Sequence, residues 1–443
     1  MGANMRGKSI SIGIVGLVVT ASFLGFIAFE SDVVRAGTTL YVGGTGGNNY
    51  TTIQEAINAA VDGDTVFVYD DSAPYMESLV ISKTINLTGE NRDTTIISGS
   101  GNYAVSVSAD WVNFTGFTVR DAAYSISVYG SNSNISGNHI SSRFYGMRLY
   151  QSSNIKISGN NFVNDGIDVD GDQLFHFNSH TITTDNTVNG EPLYYYKDCN
   201  GLNIDGIPVG QLILANCTDS SASNLQINDT HIGIMLAFSK NVSLIGNELY
   251  RNGYALNLRY SSYNNITGNY VHDNTYGTRY FYSSYNNITG NTISQNSFDD
   301  IYLSRSIGHN LTGNNLIDNG VTLIGVQLSH FNSHDIPTDN LVNGEPLYYF
   351  KDCSGGSIDG IPIGQLIIVN CTDFEARNLE INDTRTGIKL AYSKNISLIG
   401  NTVYNGVYLI DLFFASENNI IGNSVWGGIR TASILEDLLL TTM

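Results

Sequence analysis

Four groups of residues in this chain carry enough chemistry to be candidate sites. The run Asp165-Gly166-Ile167-Asp168-Val169-Asp170-Gly171-Asp172 sets three carboxylates two residues apart. On a strand, alternation turns Ile167 and Val169 inward and Asp168, Asp170 and Asp172 outward along one face. Crowded carboxylates suit calcium, which takes six to eight oxygen ligands. The run has neither the glycine at the sixth position nor the glutamate at the twelfth that an EF-hand needs. Arg148, one repeat earlier, stands over Asp168. Arg148, Asp168 and Asp170 are therefore the constellation a catalytic reading would use. A solvated acidic face with a cross-coil Arg–Asp pair explains the same residues more simply.

His176 and His180 recur as His330 and His334, both pairs at i, i+4. That spacing admits a metal pair, with copper as the ion. Yet His180 falls at the slot where other repeats carry Asn264 or Asn286, which favours a corner hydrogen-bonder. The four cysteines fall in two pairs, Cys199 with Cys217 and Cys353 with Cys371, each 18 residues apart. Each follows a strand-like run at the same phase of consecutive repeats, so the spacing predicts two disulfides between stacked neighbours. Aromatic residues are the fourth group. Phe238, Tyr260 and Tyr282 follow at 22-residue steps, as do Tyr392 and Phe414. Strand parity predicts that these five point into the core. Tyr263 and Tyr285 at a corner, with Tyr195 and Tyr349 in two inserted segments, are the candidates for exposed contact with sugar.

The elements that hold these groups follow from a repeat. Asn-Ile-Thr-Gly-Asn or a near copy places glycines at 137 and 159, at 246, 268, 290 and 313, and at 400 and 422. Steps within each group are 22 or 23, and the two gaps between groups are both 87. A fixed period of this size means one supersecondary unit stacked on itself. Within a repeat, Ile234, Leu236 and Phe238 alternate, Val242 and Leu244 form a second short strand, and Asn or Gly marks each corner. This predicts an all-β, right-handed parallel β-helix of three-sided coils, about 4.8 Å apart. Some fifteen coils in one rod would span roughly 70 Å. Corner asparagines tolerate left-handed backbone and can bond from coil to coil. That also accounts for sequons such as Asn265, Asn287 and Asn395 without glycosylation.

The two gaps hold near-duplicates offset by 154 residues: His176–His180 and His330–His334, Val188–Cys199 and Val342–Cys353, Gly210–Cys217 and Gly364–Cys371. They read as longer, decorated coils, inserted at about 172–232 and 326–386 within a β-helix spanning 79–423. Residues 37–78 read as an N-terminal cap, with a capping box at Thr52-Ile53-Gln54-Glu55 and a short helix behind it. Residues 1–36 combine Arg6 and Lys8 with an apolar run from Ile10 to Phe29, as in a signal peptide or an N-terminal membrane anchor. Residues 424–443 read as a C-terminal cap, with Ile434, Leu435, Leu438 and Leu439 on one helical face. Charged residues are only 14%, and the net charge of −19 argues against nucleic acid as a partner.

The segments Tyr50–Ile57, Gly63–Val66 and Ile81–Asn91 resemble the opening of NosD-type proteins, the periplasmic copper-binding family of exported right-handed β-helices. The insert Val188–Tyr196 is similar to one found in archaeal members. The resemblance spans roughly residues 38–423. It implies export and the fold. The namesake acts in copper delivery, and relatives include carbohydrate-binding surface proteins, polysaccharide lyases and uronan epimerases. The Asp-Pro-His-His run of the epimerase-like branch is absent. The leading expectation is thus an extracytoplasmic, non-catalytic surface module, structural or binding polysaccharide or surface glycans. A lyase or epimerase working at Arg148, Asp168 and Asp170 is the alternative, and a copper-delivery protein the third reading. Calcium and copper are the only cofactors these residue sets bring into view.

Overall fold

The computed structural model describes residues 37–428 and the backbone strand Arg430–Leu435. The expected targeting segment and residues 436–443 lie outside the described residues. No helix among the described residues is long and apolar enough to cross a membrane.

The chain is a parallel β-helix. In one run of coils, Leu236 lies over Leu258 and Tyr280. On the second side, Leu244, Ile266, Ile288 and Leu311 stack in register. On the third, Leu249, Val271, Ile293 and Leu316 do the same. All are buried in one apolar column. Burial of each such side chain stabilises by about 1.5–3 kcal/mol, which is what holds strands of only three residues together. The corner asparagines do the bonding their type allows. The backbone N–H of Asn247 donates to the Asn269 side chain at 3.0 Å, and Asn269 does the same to Asn291 at 2.9 Å. The preceding Gly246 and Gly268 sit at φ +62° and +63°, where a Cβ would be strained.

The cap is as expected and better anchored than its capping box alone. Strands Thr39–Val42 and Thr65–Val68 pair in parallel and run on into Asn86–Gly89. Helix Ile53–Ala59 covers the end of this sheet with Ile53, Ala56 and Ile57 buried. Thr52 accepts the Glu55 N–H at 3.3 Å. Glu77 then accepts the Ile53 and Gln54 N–H groups at 2.9 and 3.0 Å.

The coils do not form one rod. They form three stacks, because the chain reverses twice. Strand Thr187–Val188, the last of one side of the first stack, pairs antiparallel with Glu191–Lys197. Asn189 and Gly190 make the turn at φ +52° and +89°. That pattern is the left-handed pair of a two-residue hairpin. From Glu191–Lys197 the pairing is again parallel, through Gln211–Ala215, Ile232–Ala237 and Tyr254–Arg259. Asn343 and Gly344 repeat the turn at φ +54° and +84°, and Glu345–Lys351 begins the third stack. The two inserts are thus joints between stacks rather than decorated coils.

The first sheet of each new stack is buried on both faces. Leu212, Leu214, Ile234 and Leu236 face the core of the second stack, while Ile213, Ala215, Met235 and Ala237 join the core of the first. The outer face of the new sheet therefore closes the open end of the previous stack. At the C-terminus the expected helix is absent where the chain is described. Arg430–Leu435 is a strand paired with Tyr408–Phe413, because the coil period continues and a next strand finds its hydrogen-bond partners there.

Candidate functional site

At the first joint, the edge strand of the first stack needs partners for its backbone. Gln211, fully buried, supplies them: its Oε1 accepts the Ile167 N–H at 2.8 Å and its Nε2 donates to the Ile167 carbonyl at 2.8 Å. Thr230 donates to the Asp165 carbonyl. The helical turn Phe175–Asn178 places Phe177 in the core beside Phe238, with ring centroids 5.5 Å apart. The Tyr195 hydroxyl donates to the Phe177 carbonyl at 2.5 Å, and the Lys197 ammonium donates to the His180 carbonyl at 2.6 Å. The disulfides Cys199–Cys217 and Cys353–Cys371 form as the spacing predicts, with Cα–Cα distances of 4.5 and 4.4 Å.

The acidic strand is where the largest difference from expectation lies. Asp168 and Asp170 do point out of their own coil, in register with Arg148 and Tyr150. They are not solvated. The second stack covers them, and the Asp168 side chain is 3% exposed. Arg148 donates to Asp170 at 2.5 Å and lies 3.8 Å from Asp168. Arg259, from the second stack, pairs with Asp168 at 3.4 Å and also bonds Asp170. Burial pushes the Asp168 carboxyl up against the pull of Arg259 and Arg148. For Asp170 burial acts upward too, but the two guanidinium groups outweigh it and hold the carboxyl below its usual range. Two arginines thus occupy the oxygens that calcium would need. Asp172 stands apart, 60% exposed and beside His176. The three do not make a calcium cage, and among the described residues no cluster fit to hold a metal ion forms.

The histidine pairs do not fit copper. His180 spends both ring nitrogens: Nδ1 accepts the Ile155 N–H at 3.2 Å and Nε2 bonds the His176 carbonyl at 2.8 Å. Burial lowers its pKa to about 4, so it stays neutral. His176 Nδ1 accepts the N–H groups of Asp172 and Gln173. His334 and His330 repeat the arrangement. His334 ends the corner ladder that runs through Asn264, Asn286 and His309.

The aromatic expectations divide. Phe238, Tyr260, Tyr282, Tyr392 and Phe414 are not core residues. Each follows the last strand residue and has φ near +50°, which breaks the strand alternation and swings the ring to the corner surface. Tyr282 and Phe414 are 39% and 54% exposed. Tyr263 and Tyr285 are exposed at a corner as expected, stacked at 5.1 Å. Tyr195 and Tyr349 are half-buried clamps, each donating its hydroxyl to a joint carbonyl, so neither is free for sugar.

The joint opens a cleft that the sequence reading missed. It has a volume of about 550 Å³ and lies between the corner of the first stack, at Arg143, Phe144 and Tyr145, and a column of the second stack. That column is Tyr254, Tyr276 and Phe298, again at 22-residue steps, stacked at 4.6 and 4.9 Å. Tyr145 stacks on Tyr124 at 4.5 Å and meets His231 at 3.7 Å with the rings tilted by 46°. Two smaller cavities, of about 270 and 180 Å³, share Tyr254 with the cleft. Arg148, Asp168 and Asp170 line the first of them, and Arg385, from the third stack, lines the other. Of the thirteen arginines in the chain, six line these three spaces: Arg143, Arg148, Arg251, Arg259, Arg279 and Arg385. Asp165 is in the wall, its carboxyl pushed up to about 7 by burial while it accepts the Ser142 N–H. Burial lowers His231 to about 3. The signal for the column was present in the sequence, since Tyr254, Tyr276 and Phe298 keep the repeat period, the two tyrosines opening their strands and Phe298 lying just before the strand Ile301–Ser304.

Solved structures with the same kind of winding include the A-module of the Azotobacter vinelandii mannuronan C-5 epimerase AlgE6. It is 14% identical with a TM-score of 0.28, covering 85% of this chain and 96% of that one. A pectin methylesterase mutant, solved in complex with a hexasaccharide, is 10% identical with a TM-score of 0.27, covering 56% and 78%. PfbA, a surface adhesin of Streptococcus pneumoniae, is 11% identical with a TM-score of 0.23, covering 86% and 89%. These are likenesses of fold alone. No curated protein matches the chain. Residues 176–351, which run from the helical turn of the first joint to the end of the second hairpin, match the family described as periplasmic copper-binding protein (NosD), so this β-solenoid carries a NosD family domain.

Proposed function

We propose that this protein is an extracytoplasmic, non-catalytic β-helix module that binds polysaccharide in the cleft at its first joint. The observation that carries the reading is the gathering of rings and guanidinium groups in the cleft and the two cavities that share Tyr254 with it, on a chain of net charge −19. Saccharide sites combine apolar ring surface with a few convergent polar groups, and this cleft offers both. The phenol hydroxyls of Tyr254 and Tyr276 have no hydrogen-bond partner among the described residues, which leaves them for a ligand. The two disulfides and the N-terminal sequence pattern support a place outside the cytoplasm.

The lyase or epimerase reading needs a free base beside Arg148, and both nearby carboxylates are committed to arginines. The copper reading finds both ring nitrogens of His180 and His334, and Nδ1 of His176 and His330, already bonded to backbone. Calorimetric titration of the whole protein with a panel of neutral and acidic oligosaccharides tests the proposal. Binding that weakens at least about tenfold in Tyr276→Ala, with no product formed on prolonged incubation, is the expected result. Absence of binding to every saccharide in the panel, or binding indifferent to both Tyr254→Ala and Tyr276→Ala, would overturn it. So would turnover of any member.

A further inference from the structure

Charge across the cleft and its two adjoining cavities is not evenly neutralised. Arg148 and Arg259 are matched by Asp168 and Asp170. Arg251 pairs with Asp229 at 2.6 Å and Arg385 with Asp299 at 2.8 Å. Arg143 is exposed and unpaired among the described residues. The Arg279 side chain makes no ion pair within 4 Å and no hydrogen bond among the described residues, although its charge acts on Asp168 and Asp299, which line the same cavities. It is half-buried on the outward face of the strand Tyr276–Phe281, in register between Asn257 and Tyr302. It lines both smaller cavities, so it sits where they meet.

Three rings hold it there. The guanidinium carbon is 5.2 Å from the centre of Phe281, 5.6 Å from Tyr254 and 5.9 Å from Tyr302. Ring contacts of this kind retain a weakly hydrated guanidinium without consuming its N–H groups. The five donors remain free in a fixed plane, and that fork matches a carboxylate in a bidentate way. The carboxylates beside it are already paired to Arg148, Arg259 and Arg385, so Arg279 is the one guanidinium of these two cavities left over, and a half-buried cation with free donors is costly to leave so.

We infer that Arg279 is the anchor of a carboxylate-binding subsite, and that the ligand of the cleft is an acidic oligosaccharide bearing a carboxylate on the sugar ring. This rests on the reading of the cleft as a saccharide site. The carboxylate docks on the Arg279 fork, and the hydroxyls of the same and the adjoining sugar meet the phenols of Tyr254 and Tyr276.

The test uses tetrasaccharides of a hexuronic acid, the same tetrasaccharides after reduction of their carboxyl groups to alcohols, and sulfated neutral tetrasaccharides. Titration into the full chain is expected to show the acidic form binding at least about tenfold tighter than its reduced counterpart. Arg279→Met should abolish that preference, so that the acidic and reduced forms bind alike, while Arg279→Lys restores only part of it. Because the Arg279 side chain makes no hydrogen bond or ion pair among the described residues, both variants should melt within a few degrees of the parent, which separates a lost subsite from a lost fold. Equal affinity for the acidic and reduced forms, or a preference that survives Arg279→Met, overturns the inference and leaves the saccharide reading standing. Tighter binding of the sulfated form overturns the carboxylate assignment. Failure of all three sugars to bind removes the saccharide reading itself.

Discussion

The two joints are copies offset by 154 residues, and they keep their frame while exchanging almost everything packed inside it. Gln211 and Gln365 do the same work: Gln365 bonds both backbone groups of Val321 at 2.9 Å, as Gln211 does for Ile167. Thr230 and Thr384, Phe177 and Phe331, Tyr195 and Tyr349, and both disulfides also keep their places. Between the stacks the chemistry differs. The first joint packs Arg148, Asp168, Asp170 and Arg259 where the second has Tyr302, Thr322, Ile324 and Phe413. The second places an ion pair elsewhere, Lys389 with Asp411 at 2.5 Å, where the first has Met235 and Asn257. What must stay is whatever satisfies the backbone of a strand edge, since those groups exist whatever the side chains are. The filling only has to be matched in volume and charge.

The largest expected effect comes from unbalancing the filling of the first joint. Arg259→Met leaves Asp168 and Asp170 buried with one guanidinium between them. It should cost about 3–5 kcal/mol, read as a lower denaturant midpoint. Installing the filling of the second joint whole, as Arg148→Tyr, Asp168→Thr, Asp170→Ile and Arg259→Phe, removes the buried charge altogether. That variant should recover to within about 1–2 kcal/mol of the parent or exceed it. If the fourfold variant is no better than Arg259→Met, the network does something the second joint does not need, and the two joints are not interchangeable frames.

A second contrast concerns protons. Besides the carboxyls paired to arginine, each joint buries one that makes no ion pair among the described residues, at swapped positions of the copy. In the first it is Asp165, with Gly146 facing it; in the second Asn319 replaces Asp165 and Asp300 replaces Gly146. Asp300 accepts the N–H groups of Asn319 and Gly320 at 3.2 and 3.1 Å. Burial raises Asp165 to about 7 and Asp300 to about 8. The folded state therefore holds these protons more tightly than the unfolded chain. Their contribution is full below about pH 4 and is lost as pH rises through about 7 and then about 8. Asp165→Asn, which copies the second joint, should remove the first part of that fall. The variant should gain roughly 2–4 kcal/mol on the parent between pH 4 and 8, less whatever solvent relaxation recovers. The difference between the two stability-against-pH curves is the measurement. A flat difference would mean that Asp165 is ionised in its corner.

The repeat made the coil, its corners and the disulfides legible, because period and alternation are local properties of the chain. The corner ladder of Asn247, Asn269 and Asn291 could be read the same way. The reversals were also written in the sequence, at Asn189-Gly190 and Asn343-Gly344, the strongest short-range signal for a hairpin. They were hidden by the parallel pattern around them. The cleft and the burial of Asp168 were not legible. They depend on one stack meeting another, with Arg259 arriving at Asp170 from 89 residues away, and no periodicity encodes that distance. The ladder at Tyr260 and Tyr282 failed for a different reason. Alternation holds only while the backbone stays extended, and one left-handed residue at the strand end reverses the direction of its side chain.

The smallest contrast tests the filling where the first joint is least well matched. Asn257 is fully buried on the outer face of the second stack, in register with Met235 and Arg279, and neither of its amide atoms finds a partner among the described residues. Its counterpart Asp411 is served by Lys389. A buried amide without partners costs more than an apolar group of the same size. Asn257→Leu should therefore stabilise the first joint by about 1 kcal/mol and raise the melting temperature by one or two degrees. The matching change Asp411→Leu should destabilise the second joint by more than that, since it strands the Lys389 ammonium beside Phe331 and Phe413. Opposite signs for the same substitution at equivalent positions would show that each joint is tuned to its own filling. Loss of stability in Asn257→Leu would instead point to an ordered water serving both amide atoms, and would make the first joint as fully satisfied as the second.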